Sequence, residues 1–303
     1  MPPLNSLDED ALKELIAAEL EAVRDRSLGL TTDVLDGPEL TAQVSPLMSP
    51  LVWDLAHVGN YEELWLLRAA AGVEPMRPEI DDLYNAFEHP RSERPRLPLL
   101  PPDEARDYIA AVRAKVLDSL GSVRLDGSSP LTANGFVYGM VVQHEHQHDE
   151  TMLATHQLRK GAPALLDPPG TPPPVRDAAP NDEVLIEAGP FEMGTSDDPW
   201  AYDNERPGHI VDLPAYYIDT EPVTNAAYLS FMEAGGYDSP EWWHPKGWEW
   251  RCASGKRPPA FWIREGDQGL RRRFGKVEPV PMDEPVQHVC WYEADAYARW
   301  AGK

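Results

Sequence analysis

The residues whose types and spacing could do chemistry are concentrated in Gly135–His156, GFVYGMVVQHEHQHDETMLATH. His144 and His148 stand four apart. On a helix about 40° of rotation separates such positions, so both imidazoles share one face. Two imidazoles on one face are half of a site for Fe, Zn, Ni or Cu. A pair of solvated histidines would read the same way, so the site needs a third ligand elsewhere. His146 points off the ligand face, as does Glu150, and His146 and His156 read as structural or solvated.

His57, in PLVWDLAHVGNYEELWLLR, is the best third ligand. It lies among apolar neighbours on a second predicted helix, and helical bundles build metal sites from side chains on facing helices. Three neutral imidazoles favour a borderline metal such as Fe(II) or Zn over Mg or Ca. Asp54, three residues before His57, shares its face. It is either a further ligand or an acceptor that orients an imidazole. His144-Glu145-x-x-His148 also fits the zinc-protease pattern HExxH. The extended form of that motif needs glycine and histidine where this chain has Thr151 and Ala154, and prolines follow where a glutamate-bearing helix would be required.

The elements that must position these side chains are legible from periodicity. Leu12, Leu15, Ile16, Leu20 and Val23 predict a helix from about Asp8 to Ser27 behind a Ser6–Glu9 capping box. Ser49-Pro50 opens a second helix that runs to about Gly72, with serine as cap. A third spans about Asp103 to Leu120, and the histidine-bearing fourth about Thr132 to Lys160. Four such helices suggest a four-helix bundle over residues 1–160. Residues 161–182 hold seven prolines and read as a linker. After Asp182 the pattern turns to short strands at 184–186, 191–194, 209–213 and 216–218, with short helices after Thr224 and at about 292–300. Residues 183–303 thus form an α+β domain rich in irregular structure, in which Trp242, Trp243, Trp248 and Trp250 show little periodicity.

The 303 residues suffice for two cores. A net charge of −24 argues against nucleic acid or an anionic membrane as partner. No apolar run approaches the ~18 residues that span a bilayer, and the acidic N-terminus lacks the order of a signal peptide. Two cysteines, Cys252 and Cys290, do not suggest a disulfide scaffold, so the expected compartment is the cytoplasm.

PLMSPLVWDLAHVGNYEELWLLR, HPRSER and GMVVQHEHQHDETML resemble the N-terminal DinB-like domain of ergothioneine-biosynthesis sulfoxide synthases. GPFEMGTSDDPWAYDNERPGHIVDLPAYYIDTEPVTNAAYLSFMEAGGY and DEPVQHVCWYEADAYARWAGK resemble the formylglycine-generating-enzyme fold, a C-type-lectin-like domain. The resemblance implies a mononuclear non-haem Fe(II) on His57, His144 and His148. It implies O2-dependent joining of a thiol sulfur to C2 of the imidazole of hercynine (Nα-trimethylhistidine), with oxidation to the sulfoxide. The HPRxxR match implies γ-glutamylcysteine as thiol, its carboxylate clamped by Arg91 and Arg94, and it places Gln147 near the hercynine imidazole. Guanidinium forks suit carboxylates independently of any resemblance.

In the resembled family the lectin-like domain continues past the segment that ends here at Gly302-Lys303, and its proton-donating tyrosine lies there. The catalytic tyrosine is therefore expected beyond residue 303, with the remainder of the domain as a partner that another chain could supply. Tyr292 and Tyr297 read as core. Three other functions compete. A DinB-like metal-dependent thiol transferase would lack the second domain. A formylglycine-generating oxidase would need copper-binding cysteines that Cys252 and Cys290 do not match. A non-catalytic metal- and thiol-binding module would bind both ligands and form no O2-dependent product.

Overall fold

Leu12, Ile16, Leu20 and Val23 recur on one face of α1 (Glu9–Gly29), and all four are buried. The side chain of Asp8, rather than Ser6, caps this helix by accepting from the Ala11 amide. The computed structural model describes residues 4–165, 183–265 and 268–303. Most of the proline-rich stretch at 161–182 lies outside them. The chain divides into two compact units: Met1–Leu166 with Phe191–Val211, and Asp167–Pro190 with Asp212–Lys303. Residues 191–211, read from sequence as part of the second domain, thus pack with the first.

The first unit is a bundle of four long helices joined by a short one, α2 (Gly37–Thr41). After α1 these are α3 (Leu51–Glu62), α4 (Pro102–Leu120) and α5 (Phe136–Leu158). Packing is tightest between α3 and α4, and α5 lies against α1 and α3. Gly59 permits the α3–α4 approach, because a Cβ there would sit 2.5 Å from Ile109 Cγ2. Pro50 is the N-cap of α3 and no side chain caps it. The expected cap, Ser49, instead accepts a 2.7 Å hydrogen bond from Arg94 Nη1. The expected continuous helix to Gly72 is also modified, since Glu63–Ala70 is a π-helical turn in which the Ala71 amide reaches back to the Leu66 carbonyl.

Charged side chains fill the middle of this bundle. Arg24 of α1 donates to Glu145 Oε1 of α5 and to Glu62 Oε2 of α3, each at 2.7 Å. Arg113 of α4 donates to Glu62 Oε1 at 2.6 Å and to Glu145 Oε2 at 3.1 Å. Ser27 Oγ lies 2.8 Å from both Glu145 Oε1 and Asp149 Oδ1. All four ionic residues are buried. Burial pushes the Asp149 carboxyl up to about 6. Burial would also raise Glu145, but the charges of Arg24 and Arg113 outweigh it and hold that carboxyl below its ordinary value.

In the second unit β1 (Glu183–Ile186) pairs antiparallel with β4 (Tyr216–Asp219), Glu183 facing Asp219. β2 (Gly189–Met193) and β3 (His209–Leu213) form a second pair, whose residues are divided between the two units. β5 (Trp262–Glu265), β6 (Gln268–Arg273) and β7 (Lys276–Pro279) make an antiparallel sheet in the order β5-β6-β7. The helices are α6 (Asn225–Glu233), capped by Thr224, α7 (Pro245–Ser254) and α8 (Trp291–Trp300). The core is aromatic: Tyr228, Phe231, Tyr237 and Trp243, with Trp242, Trp248 and Trp250 against them. Tyr292 and Tyr297 belong to this core, as expected. Among the described residues no helix is long and apolar enough to cross a membrane.

Candidate metal centre

His57 comes from the middle of α3, His144 and His148 from the middle of α5. The bundle brings the three together. One nitrogen of each lies within 4.8 Å of the others. The rings are spaced almost evenly: centroids are 5.1 Å apart for His57–His144 and 4.7 Å for both His57–His148 and His144–His148.

Each ring is held differently. His57 Nδ1 lies 2.8 Å from the Tyr84 carbonyl, which accepts its proton and leaves Nε2 as the donor atom for a metal. His57 also stacks on Trp53 at 4.6 Å and 13°. His148 Nδ1 lies 3.0 Å from Asp54 Oδ1, and Asp54 is buried. Of the two roles open to Asp54, this geometry is that of a carboxylate orienting an imidazole. His144 Nδ1 is buried and has no hydrogen-bond partner among the described residues. Its ring lies against Tyr61 at 3.8 Å and 17°.

The donor set fits a metal ion. Burial and the neighbouring His148 push the His57 imidazole down to about 3. Burial, His148 and His57 push His144 down to about 2. Both are neutral at physiological pH, as ligation requires. Converging neutral nitrogens, one of them a buried atom without a partner, form an environment that a borderline divalent cation satisfies.

The other residues singled out from sequence lie around the bundle as follows. Gln147 is exposed on α5 and its Nε2 donates to the Tyr202 hydroxyl at 2.8 Å. Arg91 is exposed and donates to the Leu47 carbonyl. Arg94 is buried, donates to the His89 carbonyl and Ser49 Oγ, and lies 3.5 Å over the Trp53 ring. Among the described residues no carboxylate forms an ion pair with it, and burial lowers its pKa by more than the charge of Asp54 raises it. His146 sits 3.5 Å from Asp149, while His156 is buried against the Leu30 carbonyl, so neither joins the three-histidine cluster.

Sequence reasoning missed Trp53, Tyr61, Trp200 and Tyr202. The first two were within reach, because they lie four residues before and after His57 and share its face. Trp200 and Tyr202 come from a loop remote in sequence. Trp200 Nε1 donates to the Asn134 carbonyl, and Gln143 Nε2 donates to the Trp200 carbonyl. A Cβ on Gly139 would meet the indole at 2.4 Å, so the glycine makes room for it.

Residues 19–152 match the DinB superfamily and residues 169–303 the sulfatase-modifying factor enzyme 1-like domain. The chain is 49% identical over 295 residues to the hercynine oxygenase of Mycolicibacterium smegmatis, covering 96% of this chain and 66% of that protein. It is 47% identical over 293 residues to the hercynine oxygenase of Mycobacterium tuberculosis, covering 95% and 66%. To the formylglycine-generating enzyme of Bos taurus it is 31% identical over 180 residues, covering 50% and 42%. The chain thus spans just under two thirds of the length of the hercynine oxygenases it matches. It joins a DinB superfamily domain to a sulfatase-modifying-factor-like domain, and nearly its whole length is similar to hercynine oxygenases.

Proposed function

We propose that the chain acts in a non-haem Fe(II), O2-dependent sulfoxide synthase that joins the sulfur of γ-glutamylcysteine to C2 of the hercynine imidazole. The observation that carries this reading is the convergent trio His57, His144 and His148, in a chain nearly half identical to hercynine oxygenases. Three histidines leave open positions on an ion of ordinary coordination number. Fe(II) bound there would supply the redox chemistry that couples O2 to thiol and imidazole.

The chain's own residues would do the rest. The Tyr84 carbonyl and Asp54 hold the rings of His57 and His148 in the orientation that metal binding needs. Arg94 is a desolvated guanidinium with no carboxylate paired to it among the described residues. A buried cation without a paired counter-charge is costly, and an anionic ligand offsets that cost. This supports Arg94, with Arg91 on the same loop, as the site for the thiol substrate's carboxylate. Gln147 is next to His148, turned about 100° around the helix. It suits a ligand beside the metal, with the Tyr202 hydroxyl holding its amide.

The test is anaerobic Fe(II) loading, then O2 with hercynine and γ-glutamylcysteine, and mass spectrometry of the products. A coupled product carrying one added oxygen is expected. Thiol oxidation without coupling would reject the synthase reading for this chain. His57→Ala, His144→Ala and His148→Ala should each lose most bound iron by elemental analysis. Full occupancy in any one would remove that residue from the ligand set.

A further inference from the structure

The three imidazoles are not held alike, and the odd one is His144. His57 and His148 each have a hydrogen-bond acceptor at Nδ1. His144 has none at Nδ1 among the described residues, although the atom is buried. A ring fixed only through its Cβ can turn about its terminal torsion, which has a broad minimum. What lies against His144 is the face of Tyr61, nearly parallel at 17° and 3.8 Å.

The origin of that contact is local. Tyr61 is four residues after His57, so both side chains leave α3 on the face turned to α5. Tyr61 lies 6.3 Å from His57 and 6.1 Å from Trp65, which is four residues further along. The tyrosine ring is therefore backed by an indole and placed by the same helix that supplies one of the ligands.

We propose that Tyr61 is the positioning residue of the third ligand: its ring face, in place of a hydrogen bond, sets the plane of His144. The inference rests on the three-histidine reading of the site. Stacking fixes the ring plane and leaves both imidazole nitrogens unspent, whereas an acceptor at Nδ1 would also fix the tautomer. Two ligands are thus locked in tautomer and plane, and the third in plane alone. The hydroxyl accepts a hydrogen bond from Trp65, while the ring face, not the oxygen, is the group that sets the plane of His144.

The experiment is Co(II) titration of the metal-free protein, read by the d–d absorption bands and by the rate of metal loss to a chelator. Tyr61→Phe keeps the ring and should match wild type within about twofold. Tyr61→Leu removes it and should weaken Co(II) binding and speed metal loss by roughly 10- to 100-fold, the range seen when an orienting partner of a metal ligand is lost. Its d–d bands should shift toward those of His144→Ala. Tyr61→Met is read beside Tyr61→Leu, and the apo unfolding midpoint of each variant separates a loosened ligand from a damaged fold. Wild-type affinity and bands in the folded Leu and Met variants would overturn the proposal while leaving the metal site intact. A Tyr61→Phe variant as impaired as Tyr61→Leu would overturn it in favour of the hydroxyl. Failure of wild type to bind Co(II) would overturn the three-histidine reading itself, a result distinct from either.

Discussion

His57 and His144 resist protonation in the folded chain and accept it freely when unfolded. Their folded values stand at about 3 and about 2, against an ordinary value of 6.5. Burial lowers His156 as well. Between pH 6.5 and about 3 the unfolded chain therefore binds more protons, and stability must fall as pH falls through that window. Asp149 works the other way, since its folded value of about 6 lies above its ordinary 3.8. Between pH 7 and 5.5 His57 and His144 each cost roughly 1 kcal/mol and Asp149 returns somewhat less than either. Urea unfolding of the metal-free protein should accordingly show a net loss of about 1–2 kcal/mol at pH 5.5 relative to pH 7. Equal stabilities would mean that these rings take up protons without unfolding.

At the scale of elements, two glycines decide how closely helices and loops approach. Gly59→Ala would drive a methyl into Ile109 at the α3–α4 crossing, and Gly139→Ala would drive one into the Trp200 indole. Each should cost about 1–3 kcal/mol in denaturant unfolding, the usual range for overpacking. A methyl added at Gly29 would meet nothing within 4 Å, so Gly29→Ala serves as the control and should be neutral or slightly stabilising. The long helices are readable in the sequence because each buries one regular stripe, such as Tyr108, Ile109, Val112, Val116 and Leu120 on α4. Less is readable where burial does not follow a stripe. α7 carries Trp248 and Trp250 into an aromatic cluster and its apolar residues show no helical period, so only Pro245 at its start and Gly255 at its end mark it as a helix. The π-helical turn at Glu63–Ala70 is equally silent. Its buried Glu63 accepts from Arg68, the Met76 amide and the Tyr108 hydroxyl, and these partners are too scattered to leave a local pattern.

At the scale of the molecule, a chain of net charge −24 keeps two arginines in the centre of its bundle. Arg24 and Arg113 each bind Glu62 and Glu145, so one cluster spans α1, α3, α4 and α5. Arg113→Met would leave two buried carboxylates facing one guanidinium. Breaking such a buried group costs about 3–5 kcal/mol, and the loss should appear in denaturant unfolding. The double variant Arg113→Met/Glu62→Gln should recover part of it. A single variant within about 1 kcal/mol of wild type would mean that water reaches the cluster and screens it. The four-helix order is legible from periodicity and the His144–His148 pair from its spacing, whereas His57, remote in sequence, is picked out only as a histidine among apolar neighbours on another helix. The ionic centre is not, because no spacing rule pairs Arg24 with a residue more than a hundred positions away.

The same helix serves both the three-histidine cluster and this ionic centre. On α5, His144 and His148 make one stripe, while Glu145 and Asp149, each one residue later, make another about 100° around. The two stripes are chemically incompatible with each other's surroundings. A one-residue deletion earlier in α5 would bring Glu145 and Asp149 round to face His57. A one-residue insertion would present imidazoles to Arg24 and Arg113, which would then share Glu62 without the second carboxylate of Glu145. The rotational phase of α5 is therefore keyed twice, by the three-histidine cluster on one side and by ion pairing on the other, and neither can drift without unmaking its neighbour.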